Sequence, residues 1–173
     1  MTKKQAKAEK ADALLNKGHQ QLEKGNFAAA VRLWRAAAAL GEYVAMHQLG
    51  YFYDVGVGAC QDRGQAMQWY LRAFRRGCVQ SAVNIGTIYR DEEDYERAFQ
   101  WFNRAVALGE VSANFEIARV YMDFLDEIPK AVPYLRLVAK AKPVLEVSEW
   151  EKERAQLLLD GLAWQRKYKR ASR

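Results

Sequence analysis

Residues 49–77 read LGYFYDVGVGACQDRGQAMQWYLRAFRRG. In this stretch a Leu-Gly pair is followed by a Tyr, two loop glycines, an Asp, an Ala, a Trp-Tyr pair, a second Ala and a closing Gly. The stretch holds no recognisable catalytic motif. If the same offsets recur elsewhere in the chain, the stretch is one unit of a repeat, and the function belongs to the surface that the repeats build together.

The offsets do recur, in two sets of segments. Four segments align with one another without gaps: AVRLWRAAAALG (30–41), AMQWYLRAFRRG (66–77), AFQWFNRAVALG (98–109) and AVPYLRLVAKAK (131–142). Each has a large apolar pair at the same offset, and three end on a Gly, as expected just past a helix C-terminus. A preceding set, QLGYFYD (48–54), NIGTIYR (84–90) and EIARVYM (116–122), places a small residue and a Tyr in shared columns.

These two sets of segments predict paired antiparallel helices. A small residue beside large ones lets two helices approach closely, and a helix-interior Gly costs about 1 kcal/mol relative to Ala, so its recurrence needs a packing reason. The sequence therefore predicts an all-α solenoid of about four helix-turn-helix repeats. The proposed repeats span residues 11–41, 42–77, 78–109 and 110–142. A capping helix is expected over 143–165, with Ser148 and Glu151 as its capping box.

The stretch 49–77 resembles one unit of the Sel-one-like repeat (SLR) family, which is related to the tetratricopeptide repeat. The matching positions are Leu49, Gly50, Tyr53, Gly56, Gly58, Asp62, Ala66, Trp69, Tyr70, Ala73 and Gly77. The resemblance covers residues 11–142 and is strongest in the second repeat. It implies an α/α superhelical fold and a protein-binding scaffold or adaptor. Because some bacterial members neutralise toxins, an immunity protein that binds a cognate toxin or effector is the alternative.

The formal net charge of +6 is concentrated at the two ends of the chain. Residues 1–10 carry +3 and residues 166–173 carry +5, which leaves −2 for residues 11–165. Both ends are expected to be basic, mobile tails. A nucleic-acid-binding fold more often carries its positive charge on the folded body. We therefore expect a protein partner, and nucleic-acid association through the tails is a second alternative.

Several other classes of protein are disfavoured. No apolar run approaches the ~20 residues that span a bilayer, and no apolar segment follows the N-terminal lysines as in a secretory signal. Cys60 and Cys78 match neither a zinc spacing nor CxxC, so both are expected to be free thiols. His47 stands in a core column and is expected to be partly buried. We expect a monomeric, cytoplasmic, bacterial protein that is not an enzyme and holds no metal or cofactor.

The candidate partner-binding residues are polar side chains on the first helix of each repeat, which lines the concave face in stacks of this kind. They fall in three columns: Asn16, Gln48, Asn84 and Glu116; His19, Tyr51, Thr87 and Arg119; and Asp54, Arg90 and Asp123. Amide side chains can both donate to and accept from a peptide backbone. Tyr51 offers apolar area with a polar tip, and Arg90 and Arg119 are expected to pair with a partner's carboxylate.

The aromatic residues of the repeats suggest a second use, as a platform on which the bases of a single-stranded nucleic acid stack. The six residues concerned are Trp34, Trp69, Trp101, Tyr53, Tyr89 and Tyr121. They recur at helical spacing, however, and a stripe of that kind normally faces the core. We therefore expect all six to be packed in the interior.

Overall fold

A computed structural model describes residues 2–57, 60–142 and 147–171, with side chains up to residue 163. Over these residues the chain is helical, which confirms the all-α prediction. The helices are α1 (Lys3–Glu23), α2 (Phe27–Ala39), α3 (Tyr43–Val55), α4 (Arg63–Arg75), α5 (Gln80–Asp91), α6 (Tyr95–Ala107), α7 (Ala113–Arg119), α8 (Ile128–Lys140) and α9 (Glu149–Ala171). No helix among them is long and apolar enough to cross a membrane.

The helices follow one another as pairs, α1 with α2 and onward to α7 with α8, and α9 comes last. One feature is not visible in the repeat alignment. Helix α7 has only seven residues and continues directly into a π-helix, Val120–Phe124. The five-residue hydrogen-bonded turn is rare and tends to mark functional positions in other proteins. It carries Asp123, one of the candidate binding residues.

The chain divides into two compact units. Unit 1 is Met1–Ile88 and unit 2 is Tyr89–Arg173. Each unit has its own hydrophobic core. Trp34, Leu49 and Phe52 belong to the core of unit 1, and Phe115 and Leu135 belong to that of unit 2.

Local signals in the sequence start and stop these helices. Gly41, Gly77 and Gly109 follow the second helices of three repeats with φ of +103°, +101° and +93°, a conformation that residues with a Cβ rarely adopt. Before α9, the Ser148 hydroxyl accepts from the backbone N–H of Glu151 at 3.2 Å, and the Ser148 N–H donates to the Glu151 carboxylate at 2.8 Å. The predicted capping box is therefore confirmed.

The two predicted tails are helical where the structure describes them. Residues 3–10 form the first turns of α1, and residues 166–171 belong to α9, while 172 and 173 lie outside the described part. The Thr2 hydroxyl accepts from the Gln5 N–H at 3.2 Å, and the Gln5 side chain accepts from the Thr2 N–H at 2.7 Å. This capping box precedes a run of Lys, Ala, Gln and Glu, which are good helix formers, and together they explain why the N-terminal segment is helical.

The prediction that all six repeat aromatics are buried is only partly right. Trp34 and Tyr53 are buried, but Trp69, Trp101, Tyr89 and Tyr121 are half-buried. The fully buried member of each apolar pair is the second one: Trp34, Tyr70, Phe102 and Leu135. The half-buried rings are covered by cations instead, with the guanidinium of Arg72 lying 4.8 Å from the Trp69 ring centre and that of Arg97 lying 4.6 Å from that of Tyr89.

Helix glycines allow the close contact between paired helices in unit 1. A Cβ on Gly18 would lie 2.3 Å from the Trp34 ring, and a Cβ on Gly50 would lie 2.5 Å from the Tyr70 ring. Each glycine of the first helix thus receives the large ring of the second helix. Gly161 in α9 is different, because a Cβ there would meet no atom within 4 Å.

We predict that alanine at these glycines has opposite effects on stability. Gly161→Ala should raise the free energy of unfolding by up to about 1 kcal/mol, because alanine is the better helix former and meets no obstacle. Gly50→Ala should lower it by about 1–3 kcal/mol, because the new methyl group displaces the Tyr70 ring. Urea denaturation followed by circular dichroism at 222 nm measures both. A stabilised Gly50→Ala variant would contradict this packing.

Candidate partner-binding surface

The candidate residues lie where the repeat alignment places them, on the first helices of the repeats. Asn16 and His19 are on α1, Gln48, Tyr51 and Asp54 on α3, Asn84, Thr87 and Arg90 on α5, Glu116 and Arg119 on α7, and Asp123 in the π-helix. Nine of these fall in two clusters, one within each compact unit. The remaining two are Asn16 and His19 on α1.

The cluster of unit 1 is built around Tyr51 and is called here the Tyr51 surface. It comprises Gln48, Tyr51, Asp54, Asn84 and Thr87, spaced three residues apart along α3 and along α5, so that each set shares one helix face. Tyr51 is 48% exposed, and the other four side chains are half-buried. The side chains of Gln48 and Thr87 have no hydrogen-bond partner among the described residues. Their polar groups are therefore available to another molecule.

A buried tyrosine lies beneath the Tyr51 surface. Tyr70 of α4 is 0% exposed, and its hydroxyl has no well-formed hydrogen bond among the described residues. Burial raises the pKa of this hydroxyl well above its ordinary value, and the nearby charge of Asp54 raises it further, while interaction with the Asn84 side chain opposes the shift. The Tyr70 hydroxyl is therefore neutral and lies close to Asp54 and Asn84.

Helices α3 and α5 are joined beside this surface by a polar pair. The Nδ1 atom of His47 and the hydroxyl of Ser81 lie 3.0 Å apart in a hydrogen bond. Burial lowers the pKa of His47, so that the neutral ring is favoured. Ser81 is 0% exposed, which leaves its hydroxyl no access to a substrate. The pair thus fixes the spacing of the two helices, and His47 is half-buried as predicted.

The cluster of unit 2 is a chain of five alternating charges, called here the charge ladder. Its order is Asp91, Arg90, Glu116, Arg119 and Asp123. Arg90 donates to Asp91 at 2.8 Å and also to Glu116, while Arg119 lies 3.2 Å from Glu116 and 3.6 Å from Asp123. The ladder links the end of α5 to α7 and the π-helix, and both of its cations have partners within the protein.

Arg90 was expected to pair with a partner's carboxylate, but it pairs with two carboxylates of this chain instead. Its side chain is only 8% exposed, and its guanidinium lies 5.8 Å from the centre of the Phe124 ring. A guanidinium that is already buried and paired would have to lose two carboxylates before it could bind a third. Arg119, with 38% of its side chain exposed, remains accessible.

Asn16 and His19 lie outside both clusters. Asn16 is exposed near the middle of α1. The ring of His19 is half-buried and meets the Trp34 ring edge-on, with 5.6 Å between the ring centres. Its Nε2 atom is buried and has no hydrogen-bond partner among the described residues. His19 thus packs on the core more than it faces a partner.

The repeat alignment misses two exposed residues beside the charge ladder. Trp150 and Arg154 of α9 line the same hollow as Arg119 and Asp123. The helical i, i+4 spacing of this Trp and Arg in the sequence was the available signal, but α9 has no repeat column with which to compare it. Cys60 is exposed and Cys78 half-buried, and both thiols are free. No cluster of metal-ligating side chains occurs among the described residues.

Comparison with known protein families agrees with this architecture. The Sel1 repeat matches residues 11–42 and 44–78, and the tetratricopeptide repeat matches residues 79–108. No curated protein matches the sequence significantly. Repeats of these two families indicate a protein-interaction scaffold.

Two solved structures share the fold. A Sel1 repeat protein from Oxalobacter formigenes is 26% identical over 78% of this chain, with a TM-score of 0.64. A protective antigen of uropathogenic Escherichia coli strains, which displays an SLR fold, is 26% identical over 75% of this chain, with a TM-score of 0.63. The match covers only 60% and 30% of their own lengths.

An immunity protein from Pseudomonas aeruginosa is more distant, at 19% identity over 89% of this chain and 82% of its own, with a TM-score of 0.37. That likeness is too low to bear on the role of this protein. The matched families and the two closer folds agree with the helix pairs. The chain therefore contains two Sel1 repeats followed by a tetratricopeptide repeat.

Proposed function

We propose that this protein is an adaptor that binds a segment of another protein on the Tyr51 surface of unit 1. The observation that carries the proposal is the exposed Tyr51 ring on the same surface as Gln48 and Thr87, whose side chains have no hydrogen-bond partner among the described residues. An aromatic ring with two rotatable bonds gives a large contact area at low entropic cost, and tyrosine is frequent among the residues that dominate binding energy.

The surroundings of Tyr51 suit a peptide backbone. Gln48 and Asn84 each offer a donor and an acceptor, which is what the alternating N–H and C=O groups of an extended segment need. Binding therefore combines one aromatic contact with directional polar contacts.

Affinity capture from the source organism, followed by titration of the captured protein, tests the proposal. Tyr51→Ala should weaken binding at least about tenfold, because truncating a central aromatic residue typically costs more than 1 kcal/mol. Tyr43→Ala is the matched control: Tyr43 is 44% exposed on the same helix, eight residues earlier and so about 12 Å along the axis. Equal affinities for the two variants would refute a role for the Tyr51 surface.

The nature of the captured protein separates the alternatives. A toxin or effector that arrests growth alone, and whose effect is relieved by co-expression of this protein, would make it an immunity protein. A captured protein without toxicity fits the adaptor role. Capture of nucleic acid alone, with binding that falls steeply with salt, would instead support association through the basic ends.

A further inference from the structure

Unit 2 contains two adjoining hollows beside α9, which together are called here the α9 groove. The larger hollow, of about 360 Å³, is bordered by Arg119, Asp123, Trp150 and Arg154. The smaller, of about 220 Å³, is bordered by Ile128, Leu157 and Gly161. Met122 of the π-helix and Leu158 of α9 line both hollows, so the two are continuous.

One face of α9 lines this groove and leaves large apolar side chains uncovered. Trp150, Arg154, Leu157 and Gly161 follow one another at intervals of four, three and four residues, which places them on one stripe of the helix. Leu157 is 65% exposed and Trp150 is 63% exposed. Another face of α9 packs on the core of unit 2 through Ala155, which is 0% exposed. The groove face is therefore additional to the capping face.

Gly161 has no packing reason within the described part of the chain. A glycine in a helix interior lowers stability relative to alanine, so its presence calls for a group that occupies the space a side chain would fill. At Gly18 and Gly50 the need is visible, because the rings of Trp34 and Tyr70 occupy the space that a Cβ would take. At Gly161 the same space is open and lies in the groove. Because the spaces at Gly18 and Gly50 each take a large ring from a neighbouring helix, the open space at Gly161 suits a large ring carried by a helix of another molecule.

The charge of the groove indicates that its occupant carries a carboxylate as well as a large ring. Arg119 is paired with Glu116 and Asp123 within the charge ladder. Arg154 is exposed and has no ion pair among the described residues. An occupant that covers Arg154 removes it from water, and this is unfavourable unless the occupant brings a carboxylate.

We propose that the α9 groove binds an amphipathic helix of a partner protein that carries a large aromatic side chain and an acidic residue. The aromatic ring packs over Gly161 between Ile128 and Leu157, and the carboxylate pairs with Arg154. Arg154 and Gly161 are seven residues apart on α9, which is roughly 10 Å along the helix axis. The two recognition residues of the partner are accordingly about two helical turns apart. This site is separate from the Tyr51 surface and does not depend on it.

Selection from a displayed library of random 16-residue peptides tests the proposal with the full chain as the target. We expect enriched peptides to contain an aromatic residue and an Asp or Glu six to eight positions apart. Their affinity should fall at least tenfold for Gly161→Leu, which fills the smaller hollow, and for Arg154→Glu, which reverses the charge. Ala163→Leu is the matched control, because it adds the same side chain to an exposed position of α9 that does not line the groove.

The effects of the substitutions on peptide binding distinguish the α9 groove from the Tyr51 surface. Peptides that lose binding with Tyr51→Ala but not with Gly161→Leu belong to unit 1 and do not support the groove. The groove proposal is overturned if no selected peptide responds to Gly161→Leu, or if the responsive peptides lack an acidic residue. Light scattering that shows a dimer of the wild type, dissociated by Gly161→Leu but not by Ala163→Leu, would assign the groove to a second copy and would equally overturn it.

Discussion

Replacing Trp34 with alanine is expected to lower the free energy of unfolding by about 3–5 kcal/mol. Trp34 is 0% exposed and lies in the core of unit 1. Its indole fits against Gly18 of α1 and meets the Phe52 ring of α3 edge-on, with 4.9 Å between the ring centres. Removing the ring therefore opens a cavity that touches three helices. Because whole domains have only about 5–15 kcal/mol of stability, the loss is a large part of the total.

Urea denaturation, together with amide hydrogen exchange in α1–α3, measures this loss. Trp34→Phe should cost less than Trp34→Ala, because a ring remains and because the buried indole N–H, which has no acceptor among the described residues, is removed. Trp150→Ala is the control for losing a tryptophan, since its ring is 63% exposed, and it should cost less than about 1 kcal/mol. Similar costs for Trp34→Ala and Trp150→Ala would contradict the described core.

The helix pairs were predictable from the sequence because the signals that specify them are local and periodic. A small residue in the first helix, a large ring in the second and a glycine at the end of three of the repeats express one packing solution repeated along the chain. The capping box of Ser148 and Glu151 is likewise a contact between residues three apart. Features of this range depend little on what lies elsewhere in the structure.

The orientation of neighbouring residues was harder to predict. Two consecutive residues of a helix point about 100° apart, so an apolar pair alone does not show which member faces the core. The Trp69 and Trp101 rings are half-buried, while Tyr70 and Phe102 occupy the interior. An arginine three residues after each of these tryptophans, Arg72 and Arg104, was the available signal that this face is covered by a cation.

The candidate sites were predictable only in part, because pairing between distant residues leaves no local pattern. The column alignment gave the residues of the Tyr51 surface, whose accessibility follows from helix register. It could not show that Arg90 is paired with Glu116, which lies 26 residues away on the next first helix. The α9 groove was beyond the alignment altogether, because it combines α7 and the π-helix with a helix that has no repeat counterpart.

The buried position of Arg90 leads to the second large effect. Arg90→Met should lower the free energy of unfolding by about 3 kcal/mol, the low end of the range for breaking a buried ion pair. The substitution leaves Glu116, whose side chain is 18% exposed, without its closest cation, and Asp91 loses the two hydrogen bonds of the same guanidinium. The low end applies because Arg119 remains 3.2 Å from Glu116. Arg97→Met, at an exposed pair with Asp94, should change stability little.

A double-mutant cycle separates the ion pair from the packing of the long side chain. If the cost of Arg90→Met arises from the carboxylate that it strands, then removing that carboxylate as well should recover much of the loss. We therefore expect Arg90→Met with Glu116→Leu to be more stable than Arg90→Met alone, since buried ion pairs can often be replaced by apolar residues at little cost. Additive costs in urea denaturation would instead mean that the contact of Arg90 with the Phe124 ring stabilises this part of unit 2. The charge ladder would then be a consequence of the packing between α5 and the π-helix and would contribute little to it.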